Sequence, residues 1–245
     1  MPVFERDGAS IYYEEHGSGF PLLLLAPGGL NSSIAFWSRM PLRPLEAFAD
    51  EFRIIAMDQR NADRSSGQLD TRDPWGTYAD DQLGLLDHLG VEKALVVGCC
   101  IGCSFIFKLV ERQPERVVAG VLMQPIGHDE TNQGAFGPDT WNPWGENLIN
   151  KGADFSMETV GAFGHALFNS GFVFSVSRDF LRTVKTPMLL LYGNDRAHPR
   201  GVSVEVASLL PNVEVIECWR DPDVVPEVTQ QMRRFLKAHT PVGAR

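Results

Sequence analysis

The chain has 245 residues, 44% of them hydrophobic and 22% charged, with a formal net charge of −9 and a pI of about 5.1. That length supports one large domain with a sizeable core, and the acidic balance excludes the basic footprint a nucleic-acid binder needs. The longest apolar runs, such as Pro21 to Pro27, are far too short to cross a bilayer, and four Cys in a chain this long are not a disulfide framework.

The N-terminus is charged at once, at Glu5, Arg6 and Asp7, so no signal peptide is expected and the cytoplasm is the expected compartment. Residues 2–8 and 9–17 alternate about Asp7-Gly8 and read as a β-hairpin. Phe20 to Ala26 is a continuous apolar run, the pattern of a strand buried on both faces, and it ends in the small-residue loop Pro27-Gly28-Gly29-Leu30-Asn31-Ser32-Ser33. A helix is expected over 34–49, interrupted by Pro41 and Pro44, then a strand over Phe52 to Asp58 and a long polar loop from Gln59 to Trp75. Tyr78 to Leu89 carries leucines at helical spacing and stops at Gly90. Lys93 to Val97 is the next strand, Ile101 to Arg112 a helix, and Val117 to Gln124 another buried strand.

Residues 126–183 change character. They are rich in Gly, Asn, Trp and Phe and read as a helical insertion with an aromatic face that includes Trp141, Trp144, Phe163, Phe168, Phe172 and Phe174. Alternation then resumes, with strands over Pro187 to Tyr192 and Val213 to Trp219 and helices over Val202 to Leu210 and Pro226 to His239. Strands alternating with helices imply a doubly wound, mostly parallel sheet of about eight strands with helices on both faces. Ligands then bind at the carboxyl ends of the strands.

The most informative stretch is Val96-Val97-Gly98-Cys99-Cys100-Ile101-Gly102-Cys103. A strand enters it and a helix leaves it, with Cys100 at the tip of a turn flanked by Gly98 and Gly102. This is the strand–turn–helix setting of a nucleophile elbow, with Cys where Ser usually sits. The glycines suit a turn that crowds backbone against backbone. A tip residue there stands beside the free N–H groups of a helix N-terminus, which lower a thiol's pKa. A small buried residue at a tight turn is the plain alternative for Cys100, but it does not call for flanking glycines. Cys99 and Cys103 read as packing beneath the turn. A redox or metal pair at Cys100 and Cys103 lacks a second pair or nearby His ligands.

These pieces, in this order, resemble the α/β-hydrolase fold over essentially the whole chain. Pro27-Gly28-Gly29 stands where that family has His-Gly-x, and Asp58-Gln59-Arg60-Asn61-Ala62-Asp63-Arg64-Ser65 where it often has Asp-x-Arg-Gly-x-Gly-x-Ser. Gly98-x-Cys100-x-Gly102 matches the elbow, and Gly193-Asn194-Asp195 ends the penultimate strand. The resemblance implies a core domain over 1–125 and 184–245 and a cap over 126–183. It makes Cys100 the nucleophile and Asp195 the triad acid. It gives the oxyanion hole to the amides of Gly29, or Leu30, and Ile101. The loop after the last strand, where the family keeps its catalytic His, reads Trp219-Arg220-Asp221-Pro222-Asp223 and holds no His.

Three other imidazoles are candidates for the base. His198 lies three residues past Asp195, in a loop facing the active end, and its plain alternative role is to start the following helix. His128 follows the strand that ends near Pro125, and His165 lies in the insertion. His16 and His88 are assigned no role, and His239 sits deep in the last helix. Leu30, His128 and Trp144 are the expected substrate-binding side chains. Arg60 and Asn61 could bind a substrate carboxylate or amide, though such loop residues are usually solvated or turn-forming.

The expected function is an esterase-, thioesterase- or lactonase-like hydrolase of a small apolar carbonyl substrate, acting through a Cys nucleophile and an acyl-enzyme. The alternatives are a lyase or proton-transfer enzyme on the same fold, with cap imidazoles carrying the chemistry, or a ligand-binding protein with a decayed site. No cofactor or metal is implied. The partner is a small molecule, without nucleic acid or membrane, and a homodimer is compatible with the sequence.

Overall fold

In the computed structural model, which describes residues 2–169 and 171–243, eight strands form one sheet in the order β1-β2-β4-β3-β5-β6-β7-β8. The hairpin expected about Asp7-Gly8 supplies β1 (Val3–Arg6) and β2 (Ala9–His16), which pair antiparallel. β2 also pairs antiparallel with β4 (Phe52–Met57). The other strands, β3 (Phe20–Leu25), β5 (Ala94–Cys99), β6 (Val117–Met123), β7 (Met188–Leu191) and β8 (Val213–Ile216), join through parallel pairings.

The composition of each strand follows its depth. β3 and β5 are central, and Leu22 to Leu25 and Ala94 to Val97 are buried on both faces. The edge strand β8 alternates less deeply, and Val215 remains exposed. It is also shorter than its apolar pattern suggests. The chain turns after Ile216 so that the Trp219 indole donates to the Tyr192 carbonyl at 2.8 Å.

Helices cover both faces: α1 (Pro44–Phe48), α2 (Pro74–His88), α3 (Ile101–Arg112), α7 (Arg200–Leu209) and α8 (Val225–His239). α2 starts at Pro74 because the Asp73 carboxylate accepts from the Gly76 N–H, an N-cap with proline in the first turn. The helix expected over 34–49 resolves into a 3-10 segment, Ile34–Arg39, and the short α1. Pro41 and Pro44 lack the N–H groups that continuity requires. Between β6 and β7 lie α4 (Pro138–Asn150), α5 (Met157–Phe168) and α6 (Arg178–Leu181). α4 and α5 pack closely through glycines: a Cβ at Gly164 would lie 2.2 Å from the Trp141 ring, and one at Gly145 would lie 2.4 Å from Val160.

The strand order reverses beside β3: β4 lies on one side of it and β5 on the other. In such sheets the ligand crevice forms where the connections diverge, at the carboxyl ends of the strands. Here that point brings together the loop after β3 and the turn after β5. No helix among the described residues is long and apolar enough to cross a membrane.

Candidate active site

The turn after β5 is as tight as its glycines suggest. A Cβ at Gly98 would stand 2.4 Å from the Gly102 carbonyl oxygen, and one at Gly102 would stand 2.2 Å from that of Leu25. Both clashes are with backbone, so neither position admits a side chain. At the tip, Cys100 has φ 60° and ψ −119°, a conformation L-residues rarely adopt. Such a conformation costs on the order of 1–3 kcal/mol and persists only where its surroundings enforce it. The enforcement is visible: the Cys100 N–H donates to Met123 O at 2.9 Å, and the Cys100 carbonyl accepts from the Cys103 N–H at 3.1 Å.

Asp195 and His198 share the loop after β7. The Asp195 Oδ1 atom accepts from the backbone N–H groups of Ala197 and His198, each at 3.0 Å, which closes the loop into a turn. The same oxygen lies 2.7 Å from His198 Nδ1. Gly193 makes this possible, because a Cβ there would lie 2.4 Å from the His198 carbonyl oxygen and 2.6 Å from its Cβ. The imidazole therefore folds back over the end of β7 instead of projecting with α7.

The other ring nitrogen, Nε2, is buried and makes no hydrogen bond of standard geometry among the described residues. The Cys100 thiol is its electrostatic partner. Burial alone would lower the His198 pKa, but the Cys100 charge and the Asp195 hydrogen bond together raise it to about 9. Burial likewise pushes the Cys100 thiol up, and the His198 charge, the imidazole contact and the amides of Ile101 and Gly28 together bring it below its ordinary value. The hydrogen bond to His198 chiefly holds the Asp195 carboxyl well below the usual carboxylate range, against partial burial and with help from Arg220. Cys100, His198 and Asp195 thus form a chain of thiol, imidazole and carboxylate. The thiol–imidazole contact is looser than a formed hydrogen bond, as unliganded catalytic pairs often are.

The family profile of the alpha/beta hydrolase fold matches residues 21–174. The chain belongs to this family. Among curated relatives, a protein named as a carbamate hydrolase, RutD of Azorhizobium caulinodans, is 36% identical over 118 residues, 48% of this chain and 42% of its own length. The chain thus matches less than half the length of that relative. The carboxylesterase YbfK of Bacillus subtilis is 23% identical over 79% of this chain and 71% of its own. Among solved structures, the meta-cleavage product hydrolase CumD of Pseudomonas fluorescens superposes with a TM-score of 0.71 at 19% identity, covering 97% of this chain and 96% of its own. At that identity the likeness is one of fold.

In this alpha/beta hydrolase the loop after β8 sends an arginine to the acid. Arg220 Nη1 donates to Asp195 Oδ2 at 2.9 Å, and its other Nη donates to Gln124 Oε1 at the end of β6. Neither Arg220 nor Gln124 stood out in the sequence. The signal available for Arg220 was its place in the loop where the family keeps an imidazole. Around the thiol, the amides that bear on Sγ are those of Ile101 and Gly28, and Gly29 follows at φ 58° as the first residue of a short 3-10 turn. Leu30 is buried in that turn. Cys103 donates its thiol to the carbonyls of Gly98 and Met123 at 3.4 and 3.3 Å, and with Cys99 it is buried beneath the elbow. Burial raises both of these thiols well above their ordinary value, which separates them from Cys100.

The His128 ring stands edge-on to Phe136 and Phe174, with centroids 5.5 and 5.0 Å away. His165 is exposed on α5, where its Nδ1 lies 3.1 Å from the Asn169 side-chain nitrogen. Trp144 is buried and stacked on Phe163, its indole N–H unpartnered among the described residues. Arg60 makes a buried two-pronged pair with Asp81, at 2.7 and 2.8 Å, so the substrate role considered for it gives way to a structural one. Asn61 accepts from the Gly67 N–H at 2.9 Å and holds a left-handed turn. Among the described residues no group of three or more His, Cys, Asp or Glu side chains could hold a metal ion.

Proposed function

We propose that the protein is a cysteine-dependent hydrolase of small, apolar ester, thioester or lactone substrates. One arrangement carries the reading: a buried imidazole fixed by Asp195 presents its free nitrogen to a thiol at the tip of a nucleophile elbow. The lowered thiol and the raised imidazole both favour the thiolate–imidazolium form, which makes Cys100 a better nucleophile than an isolated thiol. The Cys100 thiolate attacks the carbonyl carbon, and the negative charge moves to the carbonyl oxygen. The amides at Ile101 and in the Gly28-Gly29 loop are placed to receive that charge. Collapse expels the alcohol or thiol, which takes the proton from His198 Nε2, and leaves an S-acyl enzyme. His198, now neutral, accepts a proton from water as the water attacks the acyl carbon, and Cys100 departs as thiolate. Asp195 holds the ring orientation throughout and stabilises each imidazolium.

The names of the relatives agree with this class. They include a carboxylesterase. The apolar substrate class rests on the surroundings of the thiol. Cys100 is partly buried and packs against both apolar clusters of the core. The helices over 126–183 would then serve as the cap that shapes the pocket.

The test is trapping of the acyl-enzyme. Short-chain aryl esters and thioesters should leave the wild-type chain heavier by one acyl group in intact mass spectra. Cys100→Ala should leave no adduct and no turnover. Full activity in both Cys100→Ala and Cys100→Ser would overturn the reading.

A further inference from the structure

We infer that Arg220 is a positioning residue for the Asp195–His198 pair, reaching it from the very loop that would otherwise deliver the imidazole. The inference rests on the cysteine-hydrolase reading and extends it to a residue outside the reacting trio. With the base three residues from the acid on one loop, that loop alone must orient both side chains. Asp195 is poorly placed to do so unaided, since its side chain is 38% exposed. Its Oδ1 is committed to His198 Nδ1 and two backbone N–H groups, and Oδ2 is left for a second partner. Arg220 supplies it at 2.9 Å.

The arginine is itself anchored on two sides. Its other Nη donates to Gln124 Oε1, and Gln124 is held at φ 47° with its N–H donating to Leu191 O at 2.7 Å. The neighbouring Trp219 is buried and tied by its indole to Tyr192 O. The guanidinium therefore links the ends of β6, β7 and β8 and stops the carboxylate from turning away from the ring. A planar fork does this in two directions at once, whereas a lysine reaches one. The charged groups bearing on His198 are then Cys100 from the elbow and Asp195 from its own loop, with Arg220 acting through Asp195.

The experiment follows the alkylation rate of Cys100 by iodoacetamide against pH, read by peptide mass spectrometry so that the exposed Cys218 is scored separately. Arg220→Gln should move the acidic limb of the Cys100 profile upward by about one pH unit, the scale of losing an oriented charge partner. Arg220→Lys should fall between, and Arg200→Gln, which removes an exposed arginine paired with Glu217, should match wild type. On an ester that is turned over, Arg220→Gln should lower kcat by roughly tenfold to a hundredfold while KM changes little. A folded Arg220→Gln protein with the wild-type profile overturns the inference. If Arg220→Gln does not fold, Arg220→Lys decides in the same way. If wild-type Cys100 titrates as an ordinary thiol and His198→Ala leaves it unmoved, the cysteine-hydrolase reading fails first. A lowered wild-type limb that Arg220→Gln does not shift removes only the role of Arg220.

Discussion

Asp195 Oδ1 lies 2.7 Å from Nδ1 of His198, only three residues further along the same loop. A carboxylate and an imidazole so close in sequence can meet only if the chain doubles back, and Gly193 gives the imidazole room to do so. Asp195→Asn keeps the shape of the turn and removes the charge. The His198 pKa should then fall from about 9 toward its ordinary value, and the Cys100 thiol should rise. Turnover of any ester substrate should drop by about 10²–10⁴-fold, the range expected for losing general acid–base catalysis. Both effects are read from the pH dependence of kcat/KM and of Cys100 alkylation.

The pair also shapes stability against pH. His198 has a folded pKa raised to about 9 from an ordinary 6.5, so its contribution is fully present below 6.5 and is lost as pH rises through 9. Cys100 is shifted the other way, so its contribution is present above the ordinary thiol value and is lost as pH falls through the lowered one. In wild type these two trends oppose each other as pH rises above 6.5. Cys100→Ser removes the thiol whose charge chiefly raises His198, so the imidazole pKa should fall from about 9 and keep only the rise due to Asp195. The decline of the variant's stability above pH 6.5 should therefore end below pH 9, with a slope of at most about 1.4 kcal/mol per pH unit for one proton. Urea unfolding of both proteins at several pH values measures the difference.

Arg60 and Asp81 form a buried ion pair, with side chains 9% and 1% exposed. Removing one partner strands the other charge in the interior, which costs about 3–5 kcal/mol. Asp81→Asn should therefore lower the urea midpoint strongly. The activity of the molecules that remain folded should be unchanged, because the pair serves the loop after β4. A selective loss of substrate affinity at full stability would restore the binding role considered for Arg60.

Gly102→Ala places a methyl 2.2 Å from the Leu25 carbonyl oxygen, and Gly98→Ala one 2.4 Å from that of Gly102. Neither backbone atom can move without parting the elbow from the central strands. Each substitution should cost about 1–3 kcal/mol or more, as overpacking in a rigid core does. Thermal unfolding should show a lowered Tm. Ala introduced at Gly161, where a Cβ meets nothing within 4 Å, should be neutral or stabilising within its helix.

The sequence alone was enough for the fold. Continuous apolar runs mark strands buried on both faces, helical spacing of leucines marks α2, and Gly98 and Gly102 announce a turn too tight for side chains. These signals are local, arising from periodicity and from steric demands within a few residues, so they survive without coordinates. The elbow tip at Cys100 and the loop carboxylate Asp195 were legible for the same reason, as each sits at the end of a recognisable strand. Tertiary structure alone decided the rest. His198 could equally have opened α7, and only the turn closed by Asp195 and the space over Gly193 bring its ring to the thiol. Arg60 read as a solvated or turn-forming loop residue that could also take a ligand, and neither reading foresaw Asp81, on a distant helix, holding it. Arg220 acquires meaning only when the ends of β6, β7 and β8 stand side by side. A side chain's partner depends on contacts between segments far apart in the chain, and nothing in the local pattern of residues records which of them will meet.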